Sequence, residues 1–156
     1  MTDGGGNTYE MTYTATGLYD TITAPDGTTV KYEYNRLNQP VKETRSSGLV
    51  TEYEYDAKGR VTHTWDNEGF EEIYEYDAYG NKSSVTNALG EETRYSYDKY
   101  QRLVEVVEAD GAKNTYTYDE VGNLTEATDA EGKITTYTYD ANGNVTQKEA
   151  VSYTHL

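Results

Sequence analysis

Five aspartates, Asp56, Asp77, Asp98, Asp119 and Asp140, recur at intervals of 21 residues. A series of carboxylates could ligate calcium or supply an acid–base pair. The spacing argues for a different use. Each stands three residues before a glycine slot, and Asp-x-x-Gly is turn chemistry, in which the carboxylate accepts hydrogen bonds from the amides that follow. Residues a full period apart are also spread along a sheet edge, not gathered around one ion. The acidic turns Asp66-Asn-Glu-Gly69 and Asp129-Ala-Glu-Gly132 lack the ligand density of an Asp-x-Asp-x-Asp-Gly loop. His63 is the one histidine in a strand-like segment, since His155 lies in the last residues, and there is no Cys. No Ser–His–Asp triad, histidine metal site or thiolate nucleophile can be assembled from these residues. We therefore expect no catalytic residue, no metal, no cofactor and no enzymatic activity.

The remaining chemistry is aromatic. Tyr-x-Tyr pairs stand at Tyr32/Tyr34, Tyr53/Tyr55, Tyr74/Tyr76, Tyr95/Tyr97, Tyr116/Tyr118 and Tyr137/Tyr139, each 21 residues from the last, and Met11/Tyr13 is a degenerate first copy. An aromatic stripe could form a carbohydrate platform, but packing against the sheet is the simpler use of such large side chains. Tyr79 and Tyr100 fall in the turns and are the better candidates for surface contacts.

The elements that carry these residues follow from the same period. Thr29-Val-Lys-Tyr-Glu-Tyr34 alternates polar with apolar or aromatic side chains, as a half-buried strand does. The Asp slot, filled by Asn35 and Thr14 in the first two copies, leads to Gly17, Gly59, Gly80, Gly122 or Gly143, with Asn38 and Gln101 as substitutes. A second strand follows, such as Arg60-Val-Thr-His-Thr-Trp65, and a second glycine slot, at Gly27, Gly48, Gly69, Gly90, Gly111 and Gly132, returns the chain. Glycine suits both slots because each turn needs a positive φ. Two strands per period predict an all-β antiparallel meander of seven hairpins over residues 1–150. Period-2 alternation puts the tyrosines on one face, with Val61, Leu103, Leu124, Val145, Trp65 and Val107 filling the gaps between them. Glu33, Glu54, Glu75, Ser96, Thr117 and Thr138 fall on the other, solvated face. A parallel solenoid with one coil per period is the second reading; helix is excluded by the lack of any 3.6-residue apolar stripe.

Composition sets the limits. Leu, Ile, Val and Phe together make only 22 of 156 residues, and the net charge is −15, a combination that by itself favours disorder. Eighteen Tyr and 24 Thr, with only 2 Pro, restore strand propensity. The charge disfavours nucleic acid and anionic membrane surfaces as partners. No stretch approaches the ~20 apolar residues of a membrane span, and no secretory leader is visible in the first residues. A single layer of about fourteen strands has nothing in this sequence to cover its aromatic face, so a piece of a curved wall is expected.

Tyr53-Glu-Tyr-Asp-Ala-Lys-Gly-Arg60-Val and Tyr137-Thr-Tyr-Asp-Ala-Asn-Gly-Asn144-Val resemble the YD repeat of Rhs proteins, toxin-complex C subunits and teneurins, and the similarity covers about residues 7–150. The resemblance implies a continuous antiparallel sheet coiled into a hollow shell. It implies neighbouring repeats of a longer parent chain and an enclosed toxin or other cargo as partners, in a bacterial secreted or cell-surface protein. The alternative is a cell-surface module that binds carbohydrate or a receptor. The family's self-cleavage motif contains Asp-Pro, which this sequence lacks, so neither self-cleavage nor a toxin activity is assigned to it. The register fails after Ala150, and residues 151–156 are expected to be a non-native tail.

Overall fold

The computed structural model describes Gly4, Gly6 and residues 8–151. They form one antiparallel sheet of fourteen strands in strict sequence order. The strands are β1 (Glu10–Tyr13), β2 (Tyr19–Thr23), β3 (Thr29–Tyr34), β4 (Pro40–Arg45), β5 (Val50–Tyr55), β6 (Val61–Asp66) and β7 (Glu71–Tyr76). They continue as β8 (Lys82–Asn87), β9 (Glu92–Tyr97), β10 (Leu103–Val107), β11 (Lys113–Tyr118), β12 (Leu124–Thr128), β13 (Ile134–Tyr139) and β14 (Val145–Val151). The all-β meander is thus the fold; antiparallel pairing throughout the described ladders removes the parallel solenoid. The chain divides into two compact units, one reaching to Tyr74 with Asn87–Leu89, the other Glu75–Thr86 with everything from Gly90 onward.

Both kinds of turn have one backbone geometry. The first residue's N–H donates to the carbonyl four residues on, as from Asp56 to Arg60 (2.9 Å) and from Arg45 to Leu49 (2.9 Å). The amide of the fourth residue donates back to the first, as from Gly59 to Asp56 (3.0 Å) and from Gly48 to Arg45 (2.9 Å). This is a three-residue hairpin loop whose last residue takes the left-handed conformation. Gly59 has φ 84°, and the two substitutes adopt the same geometry, Asn38 at 61° and Gln101 at 64°.

The two hairpin interfaces of a period differ. Around the Asp turn the ladder is long but slips by one residue: Glu54 faces His63, whereas Tyr55 faces Val61, so Thr62 is left over as a bulge. The same slip skips Asp20, Val41, Val104, Thr125 and Thr146. Around the second turn only three residue pairs align, as in Thr21↔Lys31 to Thr23↔Thr29. The slip follows from the odd period. Each turn pairs residue i with i+4 and so preserves parity; two such turns and an odd 21-residue period would throw successive tyrosine pairs onto opposite faces. One extra residue per period keeps them on the same face.

The bulge also corrects one expectation. It reverses the alternation within the second strand, so residues after it face the other way. Val61, Leu103, Leu124 and Val145 do pair with Tyr55, Tyr97, Tyr118 and Tyr139. Trp65 and Val107 instead lie opposite Glu52 and Arg94, on the face away from the tyrosines. The tyrosine-face neighbours beyond the bulge are Glu43, Thr64, Val85, Val106 and Ala127.

Among the described residues no hydrophobic side chain is buried, and the buried residues are Thr64 (9% exposed) and Ser84 (4%). Neither unit has a packed interior, so its order rests on ladders, turns and half-covered tyrosines. All twelve tyrosines of the pairs are half-buried, and the residue between each pair is exposed. Val151 pairs with Ile134 at the end of β14; residues 152–156, including His155, lie outside the described residues.

Candidate functional site

The Asp turns are closed by a carboxylate that works at both oxygens. Asp56 Oδ1 accepts from the amides of Lys58 (2.8 Å) and Arg60 (3.0 Å), and Oδ2 accepts from Arg60 Nε (2.8 Å). Asp98 binds Tyr100 N, Arg102 N and Arg102 Nε in the same way. At Asp77, Asp119 and Asp140 the side-chain donor is the Nδ2 of Asn81 (3.0 Å), Asn123 (2.9 Å) and Asn144 (3.0 Å). Where the slot is Asn35, its Nδ2 donates to Gln39 Oε1 at 2.8 Å, and the polarity reverses with the residue. Sequence reasoning missed this fifth turn position. The signal was present: the copies serve as an internal alignment, and the position carries Arg or Asn after Asp but Gln after Asn.

These bonds hold the carboxyls below the usual carboxylate range. At Asp77 and Asp140 the largest cause is the hydrogen bond from Asn81 or Asn144, and at Asp56 it is the Arg60 amide. At Asp98 and Asp119 desolvation is the largest influence and acts upward, but the combined hydrogen bonds from Arg102 or Asn123 and the turn amides outweigh it. Asp66 Oδ1 is likewise engaged by the amides of Glu68 and Phe70, and Asp129 by Lys133. Among the described residues no group of three or more His, Cys, Asp or Glu could hold a metal ion.

The second tyrosine of a pair does more than cover the sheet. Tyr34, Tyr55, Tyr118 and Tyr139 each donate their hydroxyl to a carbonyl fifteen residues earlier, at Tyr19 (2.8 Å), Pro40 (2.6 Å), Leu103 (2.8 Å) and Leu124 (2.8 Å). Those carbonyls lie beyond the end of the short three-pair ladders, where neighbouring hairpins have parted. Each hydroxyl therefore supplies a bond that the backbone no longer makes. Tyr32, Tyr74, Tyr95, Tyr116 and Tyr137 are the first members of their pairs, and Tyr53 stands apart among them. Its hydroxyl is pushed up to about 12 by desolvation first and then by Glu43, the one carboxylate at its slot on this face. Desolvation also raises Tyr32, Tyr34, Tyr55, Tyr97 and Tyr118.

The remaining turn glycines, Gly80, Gly122 and Gly143 after Asp and Gly27, Gly48, Gly69, Gly90, Gly111 and Gly132 at the second turn, all have positive φ. Tyr79 and Tyr100 project from the Asp turns and are 78% and 63% exposed. Lys99 Nζ and the Arg102 guanidinium stand 4.9 and 5.0 Å from the Tyr100 ring centroid. Arg102 also lies 4.7 Å from the Tyr118 ring and donates to the Asp119 carbonyl at 2.9 Å, tying one Asp turn to the next.

Tandem hairpins of 21 residues, with an Asp-closed turn and a paired-tyrosine face, thus run through the described residues, and residues 3–126 match the teneurin YD-shell family. The chain belongs to that family. Residues 115–150 match the RHS repeat, so the two family matches overlap over residues 115–126. The fold is that of solved toxin shells. The crystal structure of TcdB2-TccC3-Cdc42 aligns with a TM-score of 0.76 at 17% identity, over 89% of this chain and 9% of that chain. TcdB2-TccC3 without its hypervariable C-terminal region gives 0.77 at 18% identity, again over 89% and 9%. The Photorhabdus luminescens Tc holotoxin pore gives 0.66 at 18% identity, over 98% of this chain and 11% of that one. The YD-shell chain therefore spans about a tenth of the length of these neighbours. No curated protein matches it. Its role is structural: a run of shell repeats.

Proposed function

We propose that this chain is a wall segment of a larger YD shell that encloses a cargo polypeptide, and that it has no catalytic activity of its own. The observation that carries the reading is the absence of any fully buried hydrophobic side chain among the described residues, in repeats that are otherwise fully specified by turns and ladders. A sheet that covers nothing of its own is suited to cover something else. Membership of the teneurin YD-shell family, whose members are extracellular or secreted, supports a secreted or cell-surface setting. Neighbouring repeats of a longer chain would pair with β1 and β14, the edge strands of the sheet. The array of residues 1–150 would be the shell part, extended by Val151, which still pairs with Ile134 at the end of β14.

Limited proteolysis of the full-length product that carries this array is the test. We expect the non-repeat domain to resist trypsin while native and to become sensitive once mild denaturant opens the sheet. Digestion of that domain at the rate of its isolated form, with the array intact, would overturn enclosure.

A further inference from the structure

The periodic residues build the scaffold, and a side chain that departs from the period is not required by the repeat. The largest departure lies on the face away from the tyrosines. His63, Trp65 and Phe70 occupy slots that hold Lys42, Thr44 and Leu49 one period earlier and Ser84, Thr86 and Glu91 one period later. With Asp66, Gly69 and Glu71 they line a cavity of about 370 Å³. Phe70 is 46% exposed, and Trp65 and His63 are half-buried.

The register surrounds this aromatic group with carboxylates. Trp65 lies between Glu52 on β5 and Glu71 on β7, and His63 between Glu54 and Ile73. The indole Nε1–H donates to Glu52 Oε2 at 3.0 Å. The His63 ring stands 4.4 Å from the indole, tilted by 37°. Its Nε2 is 2.9 Å from Glu71 Oε1, and its Nδ1 is 3.7 Å from Glu54 Oε2. Lys42 lies 3.5 Å from Glu52; the lining carboxylates Asp66 and Glu71, with Glu54 beside His63, give the cavity a negative character.

We propose that this cavity binds the lysine or arginine side chain of a basic polypeptide segment, a role beyond that of a wall. A cation over an indole face is attracted by the ring quadrupole, and flanking carboxylates add Coulomb attraction that a neutral ligand would not use. The net charge of −15 steers positively charged chains toward the molecule; the aromatic cavity gives them one place to settle.

Trp65 is the single tryptophan, so its emission reports the cavity directly. The full chain is titrated at low ionic strength with an extended lysine-rich peptide and with the same peptide acetylated on every lysine. A saturable change in emission is expected for the first, with affinity about tenfold lower for the second. Glu71→Gln weakens binding by a similar factor, whereas Glu131→Gln, an equal charge change at a remote turn, does not. Trp65→Thr installs the side chain that neighbouring repeats carry at this slot, and calorimetry with this variant shows binding lost while the circular dichroism is kept. Equal affinity for the acetylated peptide, equal loss with Glu131→Gln, unchanged calorimetry with Trp65→Thr, or a stronger response to a neutral oligosaccharide would each overturn the proposal.

Discussion

Replacing Tyr118 with phenylalanine isolates the device that joins one hairpin to the next. The Tyr118 hydroxyl donates to the Leu103 carbonyl at 2.8 Å, whereas the β10–β11 ladder aligns only Glu105↔Thr115 to Val107↔Lys113. Leu103 therefore lies two residues beyond the last aligned pair. Tyr118→Phe keeps the ring, its half-burial and its contact with Arg102, and deletes one neutral hydrogen bond. Such a bond is worth about 0.5–1.5 kcal/mol net. Water can reach a half-buried carbonyl and replace part of it, so about 1 kcal/mol is expected. In a repeat array the loss acts on the nearest interface before it acts on the whole. Native-state amide exchange should accelerate about fivefold at Thr115 and its β10–β11 neighbours, with little change in β2–β5. Tyr116→Phe is the internal control, because the Tyr116 hydroxyl makes no hydrogen bond among the described residues. If Tyr118→Phe leaves β10–β11 exchange unchanged, or if both variants accelerate it equally, the hydroxyl is not the tie.

Two further outcomes follow from the turns and the tyrosine face. Gln101 holds φ 64° where other copies have glycine, and a non-glycine residue there costs about 1–2 kcal/mol; part of that is offset by the freer unfolded glycine. Gln101→Gly should therefore stabilise by about 0.5–1 kcal/mol in a denaturant melt, and more than Asn38→Gly, since asparagine tolerates this region; a destabilised Gln101→Gly would refute the account. Tyr53 has its hydroxyl raised from 10.0 to about 12. A raised folded value means stability present below pH 10 and lost as pH climbs through 12. Tyrosinate absorbance should show one late-titrating ring that moves down with Glu43→Gln, and an unshifted alkaline titration in that variant would remove Glu43 as a cause.

Much of this protein is written in local spacing. The Tyr-x-Tyr pairs, the Asp-x-x-Gly slot and the second glycine determine strand, turn, strand, turn, because turn dihedrals and period-2 alternation are decided by residues a few positions apart. That local code also sufficed to place Glu33, Glu54 and Glu75 on the solvated face and the tyrosines on the other. The bulge was harder to read, because residue type does not single it out: Val41, Thr62, Val104, Thr125 and Thr146 are β-branched like many regular strand positions, and Asp20 is not. It was nonetheless implied by parity, since an odd period and two parity-preserving turns cannot keep every tyrosine on one face without it. Only pairing across strands decided the rest. The register slip turned Trp65 away from the tyrosines and set it between Glu52 and Glu71, residues thirteen behind and six ahead in sequence. It also parted adjacent hairpins so that a tyrosine hydroxyl, not a backbone amide, reaches the carbonyl fifteen residues back. Both are consequences of how many residues lie between two contacts in space, a quantity that local spacing does not carry until the strands have been paired.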